Sequence, residues 1–128
     1  MRGLFVLVVE DDPDCAAVLA EALVLEGYAV AVAGTAAEAL ALVEQGRPDL
    51  VIVDGHLGGD TGLALVRSLR RGAFGGAPVI LATGMGIDEV AVEARDAGVD
   101  EVLVKPIELA ILLAAVARLG GVARNASA

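Results

Sequence analysis

Short runs of Val, Ile and Leu recur along this chain, and four of them end abruptly in a polar group. Val6–Val9 gives way to Glu10-Asp11-Asp12, Leu50–Val53 to Asp54, Val79–Ala82 to Thr83, and Val102–Val104 to Lys105. Runs of this length, rich in β-branched residues and bounded by polar ones, are predicted as buried strands; Tyr28–Ala33 alternates and is predicted as another, second in chain order. Helix signals fill the intervals. Asp12 as N-cap with Pro13 in the first helical position opens a helix that runs to Glu26 and stops at Gly27. Thr35 with Glu38 has the form of a capping box and opens a helix ending near Gly46, after which Arg47-Pro48-Asp49 turns into the third strand. A glycine-rich loop, Gly55–Gly62, leads to a helix from about Leu63 to Arg71. The loop Gly72–Pro78 precedes the fourth strand, and a helix over Asp88–Ala97 is stopped by Gly98. After the fifth strand, Pro106 opens a last helix to about Leu119, and Gly120–Ala128 reads as a frayed tail.

Strands that alternate with helices are predicted to run parallel, because each crossover returns the chain to the same end of the sheet. The fold class is therefore α/β, a doubly wound, five-stranded parallel sheet with helices on both faces. In such a sheet all four polar clusters gather along the carboxyl edge, where open α/β sheets bind ligands. Taken alone, each cluster has an ordinary structural use as a helix cap, a turn or a strand exit. Together, acids on two central strands with a hydroxyl and a lysine on the next two point to a divalent metal beside a carboxylate that can be phosphorylated.

Composition narrows the picture. The 128 residues suit one domain with one substantial core, and although 57% are hydrophobic, no apolar run approaches a membrane span. Met1-Arg2-Gly3 leads directly into a strand, which leaves no room for a signal peptide. Cys15, the one cysteine, precludes an intramolecular disulfide, fits the cytosol, and reads as a small apolar filler on the first helix. The net charge of −9 disfavours direct binding to nucleic acid; Arg67, Arg70 and Arg71 cluster only as the cationic end of a helix, and Phe5, Tyr28 and Phe74 are scattered.

The segments LVVEDDP, LVIVD, VILATG and VLVKP, in this order and at this spacing, resemble the receiver domain of two-component response regulators over essentially the whole chain. The resemblance implies a flavodoxin-like fold with strand order 2-1-3-4-5, a receiver over residues 1–120, and a flexible tail or linker stub over 121–128. It makes Asp54 the phosphoacceptor and assigns Mg²⁺, with Mn²⁺ as a substitute, to Asp11 directly, Glu10 through water, Asp54, and the main-chain carbonyl of His56. Thr83 becomes the switch hydroxyl, Lys105 the contact to the phosphoryl group, and Gly62 the glycine that begins the third helix. The partner implied is a histidine kinase or a histidine phosphotransfer protein, in the cytoplasm, with the domain catalysing its own phosphorylation and dephosphorylation while serving mainly as a switch. Three positions depart from the family pattern. Gly58 stands where a proline is usual, Val102 replaces the ring that normally swings inward with the threonine, and Gly84 replaces an alanine. The imidazole of His56 is read as a loop side chain pointing to solvent.

Two other functions fit the chain less well. A pseudo-receiver that docks a partner regardless of phosphate would draw on the missing ring at Val102, but the site residues are intact. A flavodoxin-like cofactor carrier would need a phosphate-binding glycine loop after the first strand, where Glu10-Asp11-Asp12 stands instead. On the last helix, Leu109, Leu112, Leu113, Val116 and Leu119 are predicted to face the sheet, and Ile107, Ile111, Ala114 and Ala115 to face outward with Glu108 and Arg118. That outer stripe offers a surface for a homodimer or an output partner, bordered by Asp88, Glu89, Glu93, Arg95 and Asp96 of the fourth helix.

Overall fold

The computed structural model describes residues 4–72 and 76–127; Met1-Arg2-Gly3, the stretch 73–75 with Phe74, and Ala128 lie outside the described residues. The elements follow in the order β1 (Phe5–Val9), α1 (Pro13–Leu25), β2 (Ala29–Ala33), α2 (Ala36–Gln45), β3 (Leu50–Asp54), β4 (His56–Leu57), β5 (Asp60–Thr61), α3 (Gly62–Arg71), β6 (Val79–Thr83), α4 (Ile87–Ala97), β7 (Glu101–Val104) and α5 (Leu109–Ser127). Five strands form one sheet in the order β2-β1-β3-β6-β7, every neighbouring pair parallel. Counted along the chain within that sheet, this is the predicted 2-1-3-4-5.

The two-residue period of the strands divides the apolar residues between two cores. Leu7, Val9, Val51, Val53, Val79 and Leu81 point to one face, where Leu65, Val66 and Leu69 of α3 and Val90, Ala94 and Ala97 of α4 cover them, with Ala39 of α2. Val6, Val8, Leu50, Ile52 and Ile80 point to the other, under Leu23 of α1 and Leu112, Ala115 and Val116 of α5. Both faces being covered, the central strands β3 and β6 are buried along their whole length.

Local chemistry fixes the helix starts. The Asp12 carboxylate accepts the Asp14 and Cys15 N–H groups at the head of α1, and the Thr35 hydroxyl accepts the Glu38 N–H at the head of α2. The Thr61 hydroxyl does the same for Ala64 in α3. Helix α4 differs: it starts at Gly86 and has no side-chain cap. At the amino edge of the sheet the Arg70 guanidinium donates to the Ala77 and Gly98 carbonyls and pairs with Asp100, whose carboxylate also accepts the Val79 N–H. The arginine expected only as part of a cationic helix end thus ties α3 to the start of β6 and the end of α4.

Three expectations are corrected. The loop 55–62 contains a two-stranded antiparallel ribbon, β4 with β5, in which His56 pairs with Thr61 and Leu57 with Asp60. Helix α5 does not stop near Leu119 but continues through Gly120 to Ser127. Gly120 is buried, and a Cβ there would run into the Leu4 side chain, so this glycine serves close packing and does not end the helix. The facing of α5 is also rotated from the predicted wheel: Ala115 is buried and Leu109 lies partly in solvent, while Leu112 and Val116 are inside and Ile111 is 52% exposed, as expected.

The inward and outward faces of α5 are open to measurement. Leu112→Ala is expected to cost about 2–5 kcal/mol in denaturant unfolding, because it opens a cavity under the sheet. Ile111→Ala, one residue away on the exposed side, is expected to stay within about 0.5 kcal/mol of the parent.

Candidate functional site

Strand register builds the site. Val9 of β1 is paired with Val53 of β3, so the residues that follow them, Glu10 and Asp54, stand side by side at the carboxyl edge. Asp54 is level with Ala82 of β6, which puts Thr83 one step beyond it, and Thr83 is level with Val104, which Lys105 follows. The predicted residues are therefore brought together: Glu10, Asp11, Asp54, His56, Thr83 and Lys105 line one cleft of about 630 Å³. Glu10, Asp54 and Thr83 are buried, whereas Asp11 is exposed at the rim.

Lys105 is the centre of the charge arrangement. Its Nζ lies 3.1 Å from Asp54 Oδ1 and 3.3 Å from Glu10 Oε1. Asp54 Oδ1 also accepts the His56 N–H at 3.2 Å, and Glu10 Oε2 accepts the Asp12 N–H at 3.3 Å. The two buried acids respond oppositely. Burial and a hydrogen bond shared with Asp54 push the Glu10 carboxyl up to about 7. Burial acts the same way on Asp54, but the Glu10 hydrogen bond, the His56 N–H and the Lys105 ammonium outweigh it and hold Asp54 below the usual carboxylate range. For Lys105, burial opposes the charge and the contacts to Asp54 and Glu10 overcome it, so its pKa is raised. The repulsion between these neighbouring acids is thus offset within the protein by the Lys105 ammonium, which lies against both.

The donor set fits a hard divalent cation. Glu10, Asp11 and Asp54 each offer a carboxylate oxygen, and these oxygens lie within 4.8 Å of one another. Three carboxylate oxygens, one of them from exposed Asp11, match the preference of Mg²⁺ for oxygen ligands and retained water.

The turn beyond Asp54 is more ordered than its glycines imply. Gly58 and Gly59 form the two-residue connection of the β4–β5 ribbon, with Gly58 at φ 59°, a conformation that favours glycine. Gly62 begins α3, as predicted, and donates its N–H to the Gly55 carbonyl at 3.0 Å. A Cβ at Gly62 would stand 2.9 Å from Val53 Cγ1 and press on the Asp54 backbone, so the position admits no larger residue beside the acid.

Three cleft residues were not foreseen. Cys15 is exposed, lines the cleft and donates its thiol to Asp12 Oδ2 at 3.5 Å, so it is not an apolar filler; its place in the first turn of α1 turns it toward the acids. Thr61 and Met85 complete the wall, and the Met85 N–H donates to Thr83 Oγ1 at 3.0 Å. A Gly-Met-Gly sequence after a strand is the one sequence signal that could have drawn attention to Met85.

Comparison with known proteins gives the family. Residues 6–117 match the response regulator receiver domain, and the chain belongs to that family, the receivers of two-component systems. Among curated relatives, the DNA-binding response regulator MtrA of Mycolicibacterium smegmatis is 38% identical over 111 residues, covering 87% of this chain and 48% of that protein. The transcriptional regulatory protein TcrA of Mycobacterium tuberculosis is 36% identical over 127 residues, covering 97% and 50%. The chain thus spans about half the length of the curated relatives it matches. Among solved structures, a CheY-like receiver domain protein from Methanospirillum hungatei superimposes with a TM-score of 0.90 at 27% identity, covering 97% of this chain and 98% of that one. The signal receiver domain of a Luxo repressor protein from Vibrio parahaemolyticus gives the same score and identity, covering 99% and 96%. Receiver domains generally bind Mg²⁺ at an acidic pocket and interact with histidine kinases, and this chain carries an acidic cluster in its cleft. Among the described residues, no helix is long and apolar enough to cross a membrane.

Divalent cation should stabilise this site measurably. Millimolar Mg²⁺ is expected to raise the melting temperature of the parent, and Asp11→Asn to remove that increment while leaving the metal-free melting temperature close to the parent's. Calorimetry with and without EDTA gives the comparison, and an Asp11→Asn protein that kept the full increment would exclude Asp11 as a ligand.

Proposed function

We propose that this domain accepts a phosphoryl group on Asp54 from a phosphohistidine donor, a histidine kinase or a histidine phosphotransfer protein, and relays the signal by a conformational change. The observation that carries the reading is the setting of Asp54: it is buried and held between the His56 N–H and the Lys105 ammonium at the base of an open cleft. In the transfer, an Asp54 oxygen forms a bond to phosphorus while the phosphorus–nitrogen bond to the donor imidazole breaks, and a proton from the medium returns to that imidazole. Glu10, Asp11 and Asp54, with the His56 main-chain carbonyl, would hold Mg²⁺, and Mn²⁺ in its place. When bound, the ion supplies positive charge that offsets repulsion between the carboxylate and the phosphoryl oxygens. Lys105 orients Asp54 before transfer and can pair with a phosphoryl oxygen after it. Thr83, buried beside the cleft, can donate its hydroxyl proton to another. These roles support self-catalysed phosphorylation and hydrolysis, in a cytoplasmic setting, with Val102 precluding a rotating ring at β7. The intact site disfavours a pseudo-receiver.

MtrA is a DNA-binding regulator in name, and this chain spans less than half of it. Contact with DNA by a full-length protein would be compatible with an acidic receiver that does not itself touch nucleic acid. Of the outer stripe on α5 read from the sequence, Ile111 and Ala114 are exposed and Ala115 is buried, so Ile111 is the centre of the surface proposed for a second copy or an output partner.

Labelling with acetyl phosphate or a phosphohistidine donor is expected to require Mg²⁺ or Mn²⁺ and to vanish in Asp54→Asn, while circular dichroism shows the fold intact; label that persists in the variant would sink the assignment. Ile111→Glu is expected to abolish self-association or partner binding without lowering stability, as read by analytical ultracentrifugation of the free and beryllofluoride-treated protein. A parent that stays monomeric in both states, with partner binding unchanged in the variant, would exclude the α5 surface.

A further inference from the structure

Beside the cleft lies a second, smaller cavity of about 210 Å³ between α3 and α4, on the far side of Thr83. Its floor is apolar, made by Leu63, Leu81 and Val90, and its rim carries exposed Arg67, Glu89 and Glu93. Gly55, Thr61, Thr83 and Met85 line both spaces and so form the partition between them. Met85 is 52% exposed at that partition. The cavity is several times the ~30 Å³ that one water occupies in the liquid, which admits an unbranched thioether, the side chain best suited to an irregular gap.

The backbone around Met85 is coupled to the phosphoacceptor edge and weakly held on its other side. Thr83 Oγ1 accepts the Met85 N–H, and among the described residues no acceptor is seen for the Thr83 hydroxyl proton. A phosphoryl oxygen on Asp54 would supply that acceptor, and a side-chain rotation that carried Thr83 Oγ1 toward it would shift the oxygen that holds the Met85 amide. Beyond Met85, α4 begins at Gly86 without a side-chain cap, unlike α1, α2 and α3. Gly84 and Gly86 on either side leave the segment free to rotate.

We propose that Met85 is the mobile side chain of this receiver: when Asp54 is phosphorylated, Met85 leaves solvent, enters the cavity between α3 and α4, and displaces the start of α4. The proposal rests on the receiver reading and specifies how that site is regulated where Val102 supplies no ring.

The chain has two methionines, Met1 and Met85, so methyl labelling of methionine gives two signals that Met85→Leu assigns. The protein is compared free, with Mg²⁺, and as the Mg²⁺–beryllofluoride adduct, with adduct occupancy read independently from fluorine NMR. At full occupancy the Met85 methyl is expected to lose relaxation by a soluble paramagnetic agent severalfold and to gain contacts with the Val90 methyls. Amide shifts over 86–93 are expected to shrink severalfold in Met85→Ala compared at equal occupancy, and to be restored in Met85→Leu. An adduct that forms while the Met85 methyl keeps its solvent exposure, or α4 shifts that survive in Met85→Ala, would overturn the proposal alone. Absence of any adduct would overturn the phosphoacceptor reading together with it.

Discussion

A parallel sheet covered on both faces can bring charged groups together only where its strands run out. Within β1, β3 and β6 the core side chains alternate between two apolar clusters, and a charge there would cost several kcal/mol unless paired. At the carboxyl ends the strands place Glu10, Asp54 and Thr83 at the base of the open cleft, one residue past the last apolar position of each strand. The register that packs Val9 against Val53 is therefore the same register that sets Glu10 beside Asp54. Packing and chemistry are not separate requirements in this fold; a slip by one residue would lose both.

Lys105 completes that arrangement from the neighbouring strand. Without it, two buried carboxylates would face each other with only a shared proton between them. With it, Asp54 is held below the usual carboxylate range while burial pushes Glu10 up to about 7, so the two acids are set apart by their surroundings. The distinction comes from position: Asp54 has the His56 N–H and the nearer approach of the ammonium, and Glu10 has neither.

The sequence exposed most of this because strand ends are local. A run of Val and Ile broken by Asp54 or Lys105 marks both the strand and the residue it delivers, and parallel topology does the rest. Features set by distant partners were hidden. Arg70 reaches carbonyls and an acid on the far side of β6, and nothing near it in the chain names them. Gly120 resembles a helix stop until Leu4 is seen against it. In α5, with apolar residues all round, the wheel leaves its phase open, and so Leu109 and Ala115 were exchanged between inside and outside. The β4–β5 ribbon is too short to show alternation, although Gly58-Gly59 is the turn it needs. Cys15 was misjudged because small apolar character predicts burial only on the face turned toward the sheet.

The tie made by Arg70 has a mechanical consequence. It clamps the carboxyl-terminal end of α4, through the Gly98 carbonyl, to α3 and to the strand beneath, while the opposite end of the helix begins at an uncapped glycine beside the cleft. A rod fixed at one end and loose at the other responds to a push as a lever does. Eleven residues at ~1.5 Å rise give α4 a length of about 16 Å, so a small displacement at Gly86 becomes a tilt of the whole exposed face about a stationary pivot. The amino edge of this domain, remote from the acidic cleft, thereby sets the pivot about which α4 would turn.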